Sequence, residues 1–364
     1  MTAASPATRC VLRYCRAGFE TECSRELADA ITASNAIVGV ESEPASGFAA
    51  TWLRDPIDAA AFPALFDWRR SIFARQSLPV FARIDGLPRT DRLTQIVAAL
   101  AARGEAFRDA WVEAPDNDEG KALAPFCKSF GNALIGGLKK ARLLDPGAAR
   151  RLHAFFPQSD KVYLAAADPA LAAPWPQGIP RLKFPREAPS RSTLKLDEAL
   201  LVLLDDRERE RWLKPGMSAV DLGAAPGGWT WQLVRRSLRV IAIDNGPMDR
   251  ALLASGLVTH LREDGFRFQP KKAVDWLVCD MVEQPRRIAE LMARWFAQGW
   301  CRHAIFNLKL PMKKRYEETH LCLDLIRSKL GASGREVELR ARQLYHDREE
   351  ITVFAQVRPP SHTR

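Results

Sequence analysis

Hydrophobic and polar positions in the second half of the chain follow an alternating strand and helix order. The pattern predicts, in sequence, a helix over LDEALLVLLDDRERERWL, strand SAVDLG, helix WTWQLVRR, strands LRVIAID, VTHLRED and DWLVCD, helix RRIAELMARWFAQ, strand HAIFNLKL and helix EETHLCLDLIRSKL. Two further strands, EVELRARQL and EEITVFAQV, follow with a short turn region between them. This order predicts an α/β fold with a parallel doubly wound sheet, to which a closing hairpin adds an antiparallel edge.

The first half has a different pattern, in which strands outnumber helices. Strand-like CVLRYC is followed by helix-like FETECSRELADAITA and by the strands AIVGVES and FAATWL, an order that predicts a small α+β layer. A second unit follows, with strand LPVFARID, helix RLTQIVAALAARG, strand AWVEA, a helical region and strand KVYLAAAD. Two structural parts are therefore expected in this half.

A proline-rich segment separates the two halves. Six prolines fall between Pro169 and Pro189, and proline fixes its own backbone torsion and restrains the residue before it. We therefore expect an extended linker over a surface. The predicted segments are 1–80, 81–170, a linker over 171–189, and 190–364.

The charge of the 364-residue chain is basic and unevenly distributed. Its formal net charge is +10, with a pI near 9.4, and almost all of the excess lies after residue 180. A basic protein of this size favours an anionic partner, most simply a nucleic acid. A generally basic surface that serves solubility is the alternative.

Several classes of protein are disfavoured by the sequence. The seven cysteines form no CxxC pair and the six histidines are scattered, so we expect reduced core cysteines and no metal site. No apolar run is long enough to span a membrane, and the N-terminus does not resemble an export signal. We expect a cytoplasmic protein, without a membrane partner, that acts as a monomer.

A glycine-rich turn follows the first strand of the second half. Asp221 to Trp229 reads DLGAAPGGW, so the backbone there can approach a ligand closely. The spacing differs from G-x-G-x-x-G, and Pro226 lacks an amide hydrogen that a pyrophosphate could use. Asp244 and Asp264 end the next two strands, where carboxylates can bind ribose hydroxyls and an adenine amino group. We therefore expect a site that binds a nucleoside and has no phosphate-binding group. Either aspartate alone could instead be a turn residue.

A basic stretch in the first half carries candidate RNA contacts. Gly120 to Leu144 holds five basic residues and no acidic one, with Phe126 and Phe130 among them. Cations that bind phosphate, interleaved with aromatic rings, are typical of RNA-binding surfaces. A solvated helix face is the alternative. The five residues are Lys121, Lys128, Lys139, Lys140 and Arg142.

The glycine-rich turn DLGAAPGGW resembles the S-adenosylmethionine loop of the FtsJ-type ribose 2'-O-methyltransferases. The segments SRSTLKLDEA, VIAIDNGPM, LREDGFRF, DWLVCDMVE and FNLKLPMKKRY are similar to bacterial members that act on 23S ribosomal RNA. CRAGFETECSREL resembles the opening of their N-terminal region. The resemblance implies a class I, Rossmann-like methyltransferase sheet over 190–364. It also implies a ferredoxin-like part over 1–80 and a THUMP RNA-binding domain over 81–170.

The resemblance also implies S-adenosyl-L-methionine as the cofactor and a cytidine ribose of 23S rRNA as the target. A Lys-Asp-Lys-Glu set characterises the family, and its positions here are Lys195, Asp280, Lys309 and Glu350. Lys309 would accept the proton of the ribose hydroxyl. Burial and Lys195 would lower the pKa of Lys309, whereas nearby carboxylates would raise it. Glu349 is the alternative to Glu350, since neighbouring strand residues face opposite sides.

The remaining predicted site residues fall into two groups. Those expected at the cofactor are Ser192, Gly223, Ala225, Pro226, Gly227, Gly228, Asp244, Asp264 and Asp280. Beside the five basic residues of the first half, those expected at the RNA are Arg191, Lys313, Lys314 and Arg315.

Two other functions are compatible with parts of this pattern. An RNA-binding ribosome assembly factor could use the cofactor loop only for regulation, although the complete Lys-Asp-Lys-Glu set argues against that function. A nicotinamide-dependent oxidoreductase would use a similar sheet, but the loop spacing disfavours it.

Overall fold

The computed structural model describes residues 7–31 and 37–357. The chain forms two compact units, which meet in sequence at Pro180 and Arg181. Among the residues described, no helix is long and apolar enough to cross a membrane. In the same two ranges, no group of three or more His, Cys, Asp or Glu residues is arranged to hold a metal ion.

The first unit contains seven strands and four α-helices among its described residues. In chain order they are β1 (Thr8–Tyr14), α1 (Glu20–Ala30), β2 (Ile37–Glu41), β3 (Phe48–Ile57), α2 (Pro63–Phe66), β4 (Gln76–Ile84), α3 (Arg92–Arg103), β5 (Ala110–Glu113), α4 (Asp118–Lys140), β6 (Arg151–Gln158) and β7 (Lys161–Ala167).

One continuous sheet joins the two parts predicted for this half. Its strand order is β2-β3-β1-β4-β7-β6-β5, antiparallel except for the parallel pair β5–β6. The first four strands, with α1 crossing over, have the order of a ferredoxin-like sheet. Strand β4 pairs with β1 on one side and with β7 on the other, so it runs across the predicted boundary at residue 80.

Apolar side chains on both faces of this sheet form the core of the unit. Helices α3 and α4 cover one face through Leu100, Leu134 and Leu138, which pack on Leu152 and Leu164. On the other face the Tyr14 and Phe155 rings are stacked with their centroids 4.7 Å apart. Strand alternation distributes these side chains to the two faces.

Helix α4 is the longest helix described in this unit, and side chains define its start. The Asn117 side chain accepts a hydrogen bond from the Gly120 amide at 2.7 Å, which caps the helix. Asp118 and Glu119 occupy the first turn and Lys139 and Lys140 the last, so both ends complement the helix dipole.

The proline-rich segment is partly packed rather than extended over a surface. Its first half belongs to the first unit, where Ala172, Ala173 and Ile179 are buried. The Trp175 ring meets the Trp68 ring edge-on at 5.4 Å, and the Gln177 amide donates to Glu113. Proline restraint therefore acts together with apolar burial up to Pro180.

The second unit contains seven strands and six helices among its described residues. They are α5 (Thr193–Leu203), α6 (Asp206–Trp212), β8 (Ser218–Leu222), α7 (Gly228–Val234), β9 (Arg239–Ile243), α8 (Arg250–Ala254), β10 (Val258–Leu261), β11 (Val274–Cys279), α9 (Pro285–Ala297), β12 (Cys301–Lys309), α10 (Arg315–Ala332), β13 (Val337–Arg342) and β14 (Glu350–Val357).

The sheet of this unit has the order β10-β9-β8-β11-β12-β14-β13. Strand β14 lies between β12 and β13 and runs antiparallel to both, whereas the other neighbouring strands of this sheet are parallel. The predicted hairpin therefore forms, but its second strand is inserted into the sheet and β13 becomes the edge. The α/β fold class is confirmed.

The first predicted helix of this unit is divided in two. Asp205 ends the helical run because its side chain accepts from the Glu208 amide at 2.8 Å, while the Glu208 side chain accepts from the Asp205 amide at 2.9 Å. This capping box starts α6 as a separate helix. Helix α5 stays against the sheet, where Leu196 and Leu200 are buried.

Candidate active site

Four charged side chains meet at one edge of the second sheet. Asp280 follows β11 and Lys309 ends β12, and the carboxyl ends of parallel strands lie at the same edge. Glu350 begins β14, directly opposite Lys309 in the antiparallel register. Lys195 reaches the same place from α5. The structure thus brings together the four residues of the predicted Lys-Asp-Lys-Glu set.

Each lysine in this cluster contacts both carboxylates. Lys309 Nζ donates to Asp280 Oδ1 at 2.5 Å and also to Glu350 Oε2. Lys195 Nζ is 3.5 Å from Asp280 Oδ2 and forms an ion pair with Glu350 Oε1. The carboxylates therefore bridge the two ammonium groups, and the four charges compensate one another.

The two carboxylates determine the direction in which the pKa of Lys309 is shifted. Burial lowers the pKa of Lys309, but the charges of Asp280 and Glu350 and their hydrogen bonds raise it above its usual value. Of the two opposing effects expected from the sequence, the carboxylate effect is the larger in the free protein. Lys309 is therefore an ammonium group before any ligand binds.

The two adjacent glutamates point to different sides, as strand alternation requires. Glu350 has only 5% of its side chain exposed and faces the lysines, whereas 46% of the Glu349 side chain is exposed. Glu349 forms an ion pair with Arg315 at 2.7 Å. The geometry therefore favours Glu350 as the fourth member of the cluster.

A cavity of about 440 Å³ lies beside the cluster and shares Asp280 with it. Among the residues that the structure describes, its lining carries five carboxylates and no lysine or arginine, so it suits a cationic ligand rather than a phosphate. The lining residues are Gly223, Ala225, Ile243, Asp244, Asn245, Glu263, Asp264, Gly265, Phe266, Asp280, Met281, Val282 and Glu283.

The glycine-rich turn forms one wall of the cavity. Gly223 has a φ of 77°, and a Cβ at this position would lie 2.7 Å from the Met281 side chain. Only glycine combines that torsion with so close a neighbour. A larger residue at this position would displace Met281, which also lines the cavity, so this wall requires glycine.

Asp244 and Asp264 line the cavity and also stabilise its loops. Asp244 accepts hydrogen bonds from the Ala225 amide at 2.9 Å and the Gly246 amide at 2.7 Å. Asp264 accepts from the Phe266 amide at 2.8 Å. A carboxylate has about four acceptor positions, so each side chain can hold its loop and still accept a ligand hydroxyl or amine.

Four predicted cofactor residues lie outside the lining of this cavity. Gly227, with a φ of 118°, packs against Leu252 and Met248. A Cβ on Gly228 would lie 2.2 Å from Ser192 Oγ. The four are Ser192, Pro226, Gly227 and Gly228.

Sequence reasoning missed Asp221 as a component of the site. It is buried below the glycine-rich turn and accepts from Thr230 Oγ1 at 2.6 Å. Burial raises the pKa of Asp221 to about 7, the Thr230 hydrogen bond opposes the shift, and the Asp280 charge adds to it. Its position as the first residue of the glycine-rich turn was the available signal.

Comparisons with known proteins agree with this architecture. Residues 188–324 match the FtsJ-like methyltransferase family, residues 91–168 the family "Ribosomal RNA large subunit methyltransferase M, N-terminal", and residues 8–78 the RlmM ferredoxin-like domain. Proteins named ribosomal RNA large subunit methyltransferase M are similar over nearly the whole chain. The protein of Xanthomonas campestris pv. campestris (strain B100) is 55% identical, covering 95% of this chain and 98% of its own length.

Two further relatives carry the same name. The protein of Xanthomonas oryzae pv. oryzae (strain PXO99A) is 54% identical, covering 95% of this chain and 98% of its own length. That of Thauera aminoaromatica is 50% identical and covers 97% of each chain. The chain belongs to the ribosomal RNA large subunit methyltransferase M family. The resemblance to FtsJ-type methyltransferases expected from the sequence is confirmed, and the chain is a methyltransferase.

In this member of the methyltransferase M family, helix α4 carries most of the basic residues predicted for RNA in the first unit. Lys121, Lys128 and Lys139 are exposed and lie 7 and 11 residues apart, which aligns them along one face of an α-helix. Lys121 is also paired with Asp118 at 2.8 Å. Lys140 and Arg142 are exposed beside this row. We call Lys121, Lys128 and Lys139 the α4 lysine row.

The basic residues predicted near the active site differ in their surroundings. Lys313 and Lys314 are exposed directly after β12, and Arg191 lies 5.7 Å from the centre of the Phe184 ring. Arg315 is mostly buried and paired with Glu349. Because its side chain is mostly buried and paired, Arg315 is less accessible to a phosphate than Lys313 and Lys314.

Glu350→Gln is expected to destabilise this methyltransferase. Two partly buried ammonium groups would then share the single carboxylate of Asp280, and removing one member of a buried charge cluster costs about 3 kcal/mol. The free energy of unfolding at pH 7, measured by denaturant titration, tests this expectation. Glu290→Gln is the matched control, because the ion pair of Glu290 with Lys329 is exposed on both sides and contributes about 0–1 kcal/mol. Equal reductions in the free energy of unfolding of the two variants would contradict the stabilising role of Glu350 in the cluster.

Proposed function

We propose that this methyltransferase transfers a methyl group from S-adenosyl-L-methionine to the 2'-hydroxyl of a cytidine in 23S rRNA. The observation that carries the proposal is the dual position of Asp280, which lines the acidic cavity and also contacts Lys309. A ligand in the cavity and a base at the cluster would therefore share one carboxylate. The name of its relatives and the ribose methyltransferase resemblance support RNA as the acceptor.

The charge of the cavity and the glycine in its wall support S-adenosyl-L-methionine as its ligand. At neutral pH this molecule carries one net positive charge, and five carboxylates around the cavity would attract it. Asp244 would accept the ribose hydroxyls, Asp264 the adenine amino group, and Gly223 would allow close approach of the backbone. When bound, the group supplies an electrophilic methyl on a sulfonium. A dinucleotide, with two phosphates, would be repelled by the same lining.

Lys309 would receive the proton of the attacking hydroxyl. In the free protein Asp280 and Glu350 raise the pKa of Lys309. Once Asp280 faces a second cation in the cavity, Lys309 loses part of its electrostatic support and its pKa falls. Neutral Nζ would then accept the hydroxyl proton, while the group in the cavity would supply the methyl to the ribose oxygen and keep the electron pair of its broken carbon–sulfur bond as a neutral thioether. Lys195 would keep Glu350 in place through their ion pair.

The RNA would be held by sequence-independent contacts on both units. The α4 lysine row, Lys140 and Arg142 are candidates in the first unit, and Arg191, Lys313 and Lys314 beside the active site. Arg315 would orient Glu349 and contribute less to phosphate binding. Because ribosomal RNA is modified where ribosomes assemble, we propose a cytoplasmic location; that the protein acts as a monomer remains a prediction.

Lys309→Ala is expected to reduce methyl transfer to background at every pH. In the wild type, log(kcat/KM) is expected to rise by about one per pH unit from pH 6.5 to 8.5. The ratio kcat/KM for the cofactor reports the cofactor-free protein, in which the raised pKa of Lys309 leaves few molecules with a neutral amine, and the neutral fraction grows tenfold per pH unit. Transfer of labelled methyl to 23S rRNA is the measurement. Lys329→Ala, an exposed lysine paired with Glu290, is the control.

The same two variants separate the proposed function from an assembly factor. Lys309→Ala should bind S-adenosyl-L-methionine in calorimetry at least as tightly as the wild type, because the lysine does not hold the cofactor and its removal leaves Asp280 with one cation fewer. A pH-independent rate, or methyl transfer by Lys309→Ala within a few-fold of wild type, would refute the role of Lys309 as the base. RNA binding by a wild-type protein that transfers no methyl would favour the assembly factor.

Asp244→Ala is expected to weaken cofactor binding about tenfold or more. The variant loses hydrogen bonds to a charged acceptor, which contribute about 1.5–3 kcal/mol. Calorimetry measures the dissociation constant. Asp249→Ala is the control, since Asp249 caps α8 by accepting from the Ala251 and Leu252 amides and does not line the cavity. Equal constants for wild type and Asp244→Ala would mean that Asp244 only stabilises the loop.

Changing the α4 lysine row to glutamine is expected to weaken RNA binding and reduce its salt dependence. For single-stranded RNA, removing one phosphate-binding cation lowers the slope of log K against log salt by about 0.7. Fluorescence anisotropy with a 23S rRNA fragment over a salt series measures both quantities.

The matched control changes three exposed basic residues of the second unit, Arg207, Arg211 and Lys214, to glutamine. It keeps the same net charge as the α4 variant. Equal effects of the two triple variants would show that net charge alone attracts the RNA.

A further inference from the structure

A row of buried polar side chains extends from the active-site cluster into the sheet. Asn307 on β12 lies opposite Thr352 on β14, and Lys309 lies opposite Glu350 in the same register. Residues two apart on a strand share a face, so these two cross-strand pairs are neighbours. Asn307 and Thr352 have no exposed surface. Asp347, which is 1% exposed, lies next to Thr352.

Short contacts connect this row without a break. Asn307 Nδ2 lies 2.9 Å from Asp280 Oδ1, and Thr352 Oγ1 lies 2.7 Å from Asn307 Oδ1. Thr352 Oγ1 also lies 3.1 and 3.0 Å from the two carboxyl oxygens of Asp347. The chain of contacts therefore runs from Asp347 through Thr352 and Asn307 to Asp280.

The chemistry of each group fixes the direction of these hydrogen bonds. Asp280 receives the charge of two lysines and accepts, so Asn307 presents its amide hydrogens to Asp280 and its carbonyl oxygen to Thr352. That oxygen can only accept, so the single hydroxyl hydrogen of Thr352 is used there. The contact between Thr352 and Asp347 then lacks a hydrogen unless Asp347 supplies one.

We propose that Asp347 keeps its proton in the folded protein and donates it to Thr352, so that Asp347, Thr352 and Asn307 position the Asp280 carboxylate beside Lys309. Asp347 Oδ2 accepts from the Leu344 amide at 3.0 Å, which leaves Oδ1 to carry the proton. Asp347 is thus a positioning residue that acts on Asp280 through Thr352 and Asn307.

The surroundings of Asp347 favour its neutral form. Burial raises the pKa of Asp347 well above its usual range, the nearby charge of Glu350 adds to the increase, and Glu198 contributes in the same direction. The Leu344 amide and the charge of Lys195 oppose these effects. An ionised Asp347 would have to share the lysines that already compensate Glu350, whereas a neutral acid can donate a hydrogen bond.

Glu198 fixes the loop that carries Asp347. Its buried carboxylate accepts from the Tyr345 amide at 2.8 Å and from the His346 amide at 2.9 Å. Glu198 lies one turn after Lys195 on α5. The helix that supplies one lysine of the cluster therefore also holds the loop, and the proton donor cannot move away from Thr352 independently.

The first test, which depends on the proposed function, is methyl transfer by variants of the chain. Thr352→Val keeps the shape but removes the hydroxyl, and kcat is expected to fall at least tenfold; Thr352→Ser is expected to recover most of the activity. Thr319→Val is the matched control, because the buried Thr319 hydroxyl has no hydrogen-bond partner among the described residues. Wild-type kcat in Thr352→Val would overturn the proposal.

The same assay distinguishes a neutral from an ionised Asp347. Asp347→Ala is expected to lower kcat about as much as Thr352→Val. Asp347→Asn is expected to restore kcat to within about threefold of wild type, since its amide donates as a neutral acid does. An Asp347→Asn variant that is unfolded, or as inactive as Asp347→Ala, would show that the ionised carboxylate is required.

The second test needs no enzymatic activity. If an aspartate is ionised in the unfolded chain above about pH 4 but protonated in the folded chain, the equilibrium constant for folding falls about tenfold with each further pH unit. The melting temperature of Asp347→Asn minus that of the wild type should therefore increase from pH 5 to pH 7. Asp324→Asn, an exposed aspartate, should show no such trend.

The two tests fail independently of each other. A wild-type protein that transfers no methyl to RNA would refute the proposed function, while the melting difference would still report the proton on Asp347. A melting difference that is constant or falls between pH 5 and pH 7 would refute the proton on Asp347, whatever the enzyme does.

Discussion

Lys309 and Glu350 face each other across two antiparallel strands, and the active site depends on this register. The pair exists because β14 is inserted between β12 and β13. At the edge of the sheet, Glu350 would lie a further strand spacing of about 4.8 Å away from Lys309. Two lysines would then remain partly buried with Asp280 alone to compensate them. The order of the last two strands is therefore an electrostatic requirement as much as a topological one.

Most elements of the fold could be predicted from the sequence, because their apolar periodicity is strong. Strand β6 was missed because Arg151, His153 and Pro157 interrupt its apolar pattern. These polar residues are tolerated through partners distant in sequence: Asp109 binds Arg151 at 2.6 Å, and Glu113 lies 2.8 Å from His153. Such compensation depends on tertiary contacts, which the local pattern does not contain.

The site was predictable where position along a strand decides it. Asp244, Asp264 and Asp280 follow strands, so they were expected at one edge of the sheet. Asn307 and Thr352 are polar residues in apolar strands, a signal that could have indicated a buried network. Asp347 lies in a loop, and only its burial in the folded structure distinguishes it from a solvent-exposed turn residue.

The continuous sheet of the first unit has a consequence for how this half unfolds. Strand β4 is hydrogen-bonded to β1 on one side and to β7 on the other. The match to the ferredoxin-like domain ends within β4, at residue 78, and the match to the N-terminal family begins after it, at residue 91. Opening either part would expose backbone amides of the shared strand. We therefore expect the two parts to open as one cooperative unit, with amide hydrogens on both sides of β4 exchanging with solvent at similar rates.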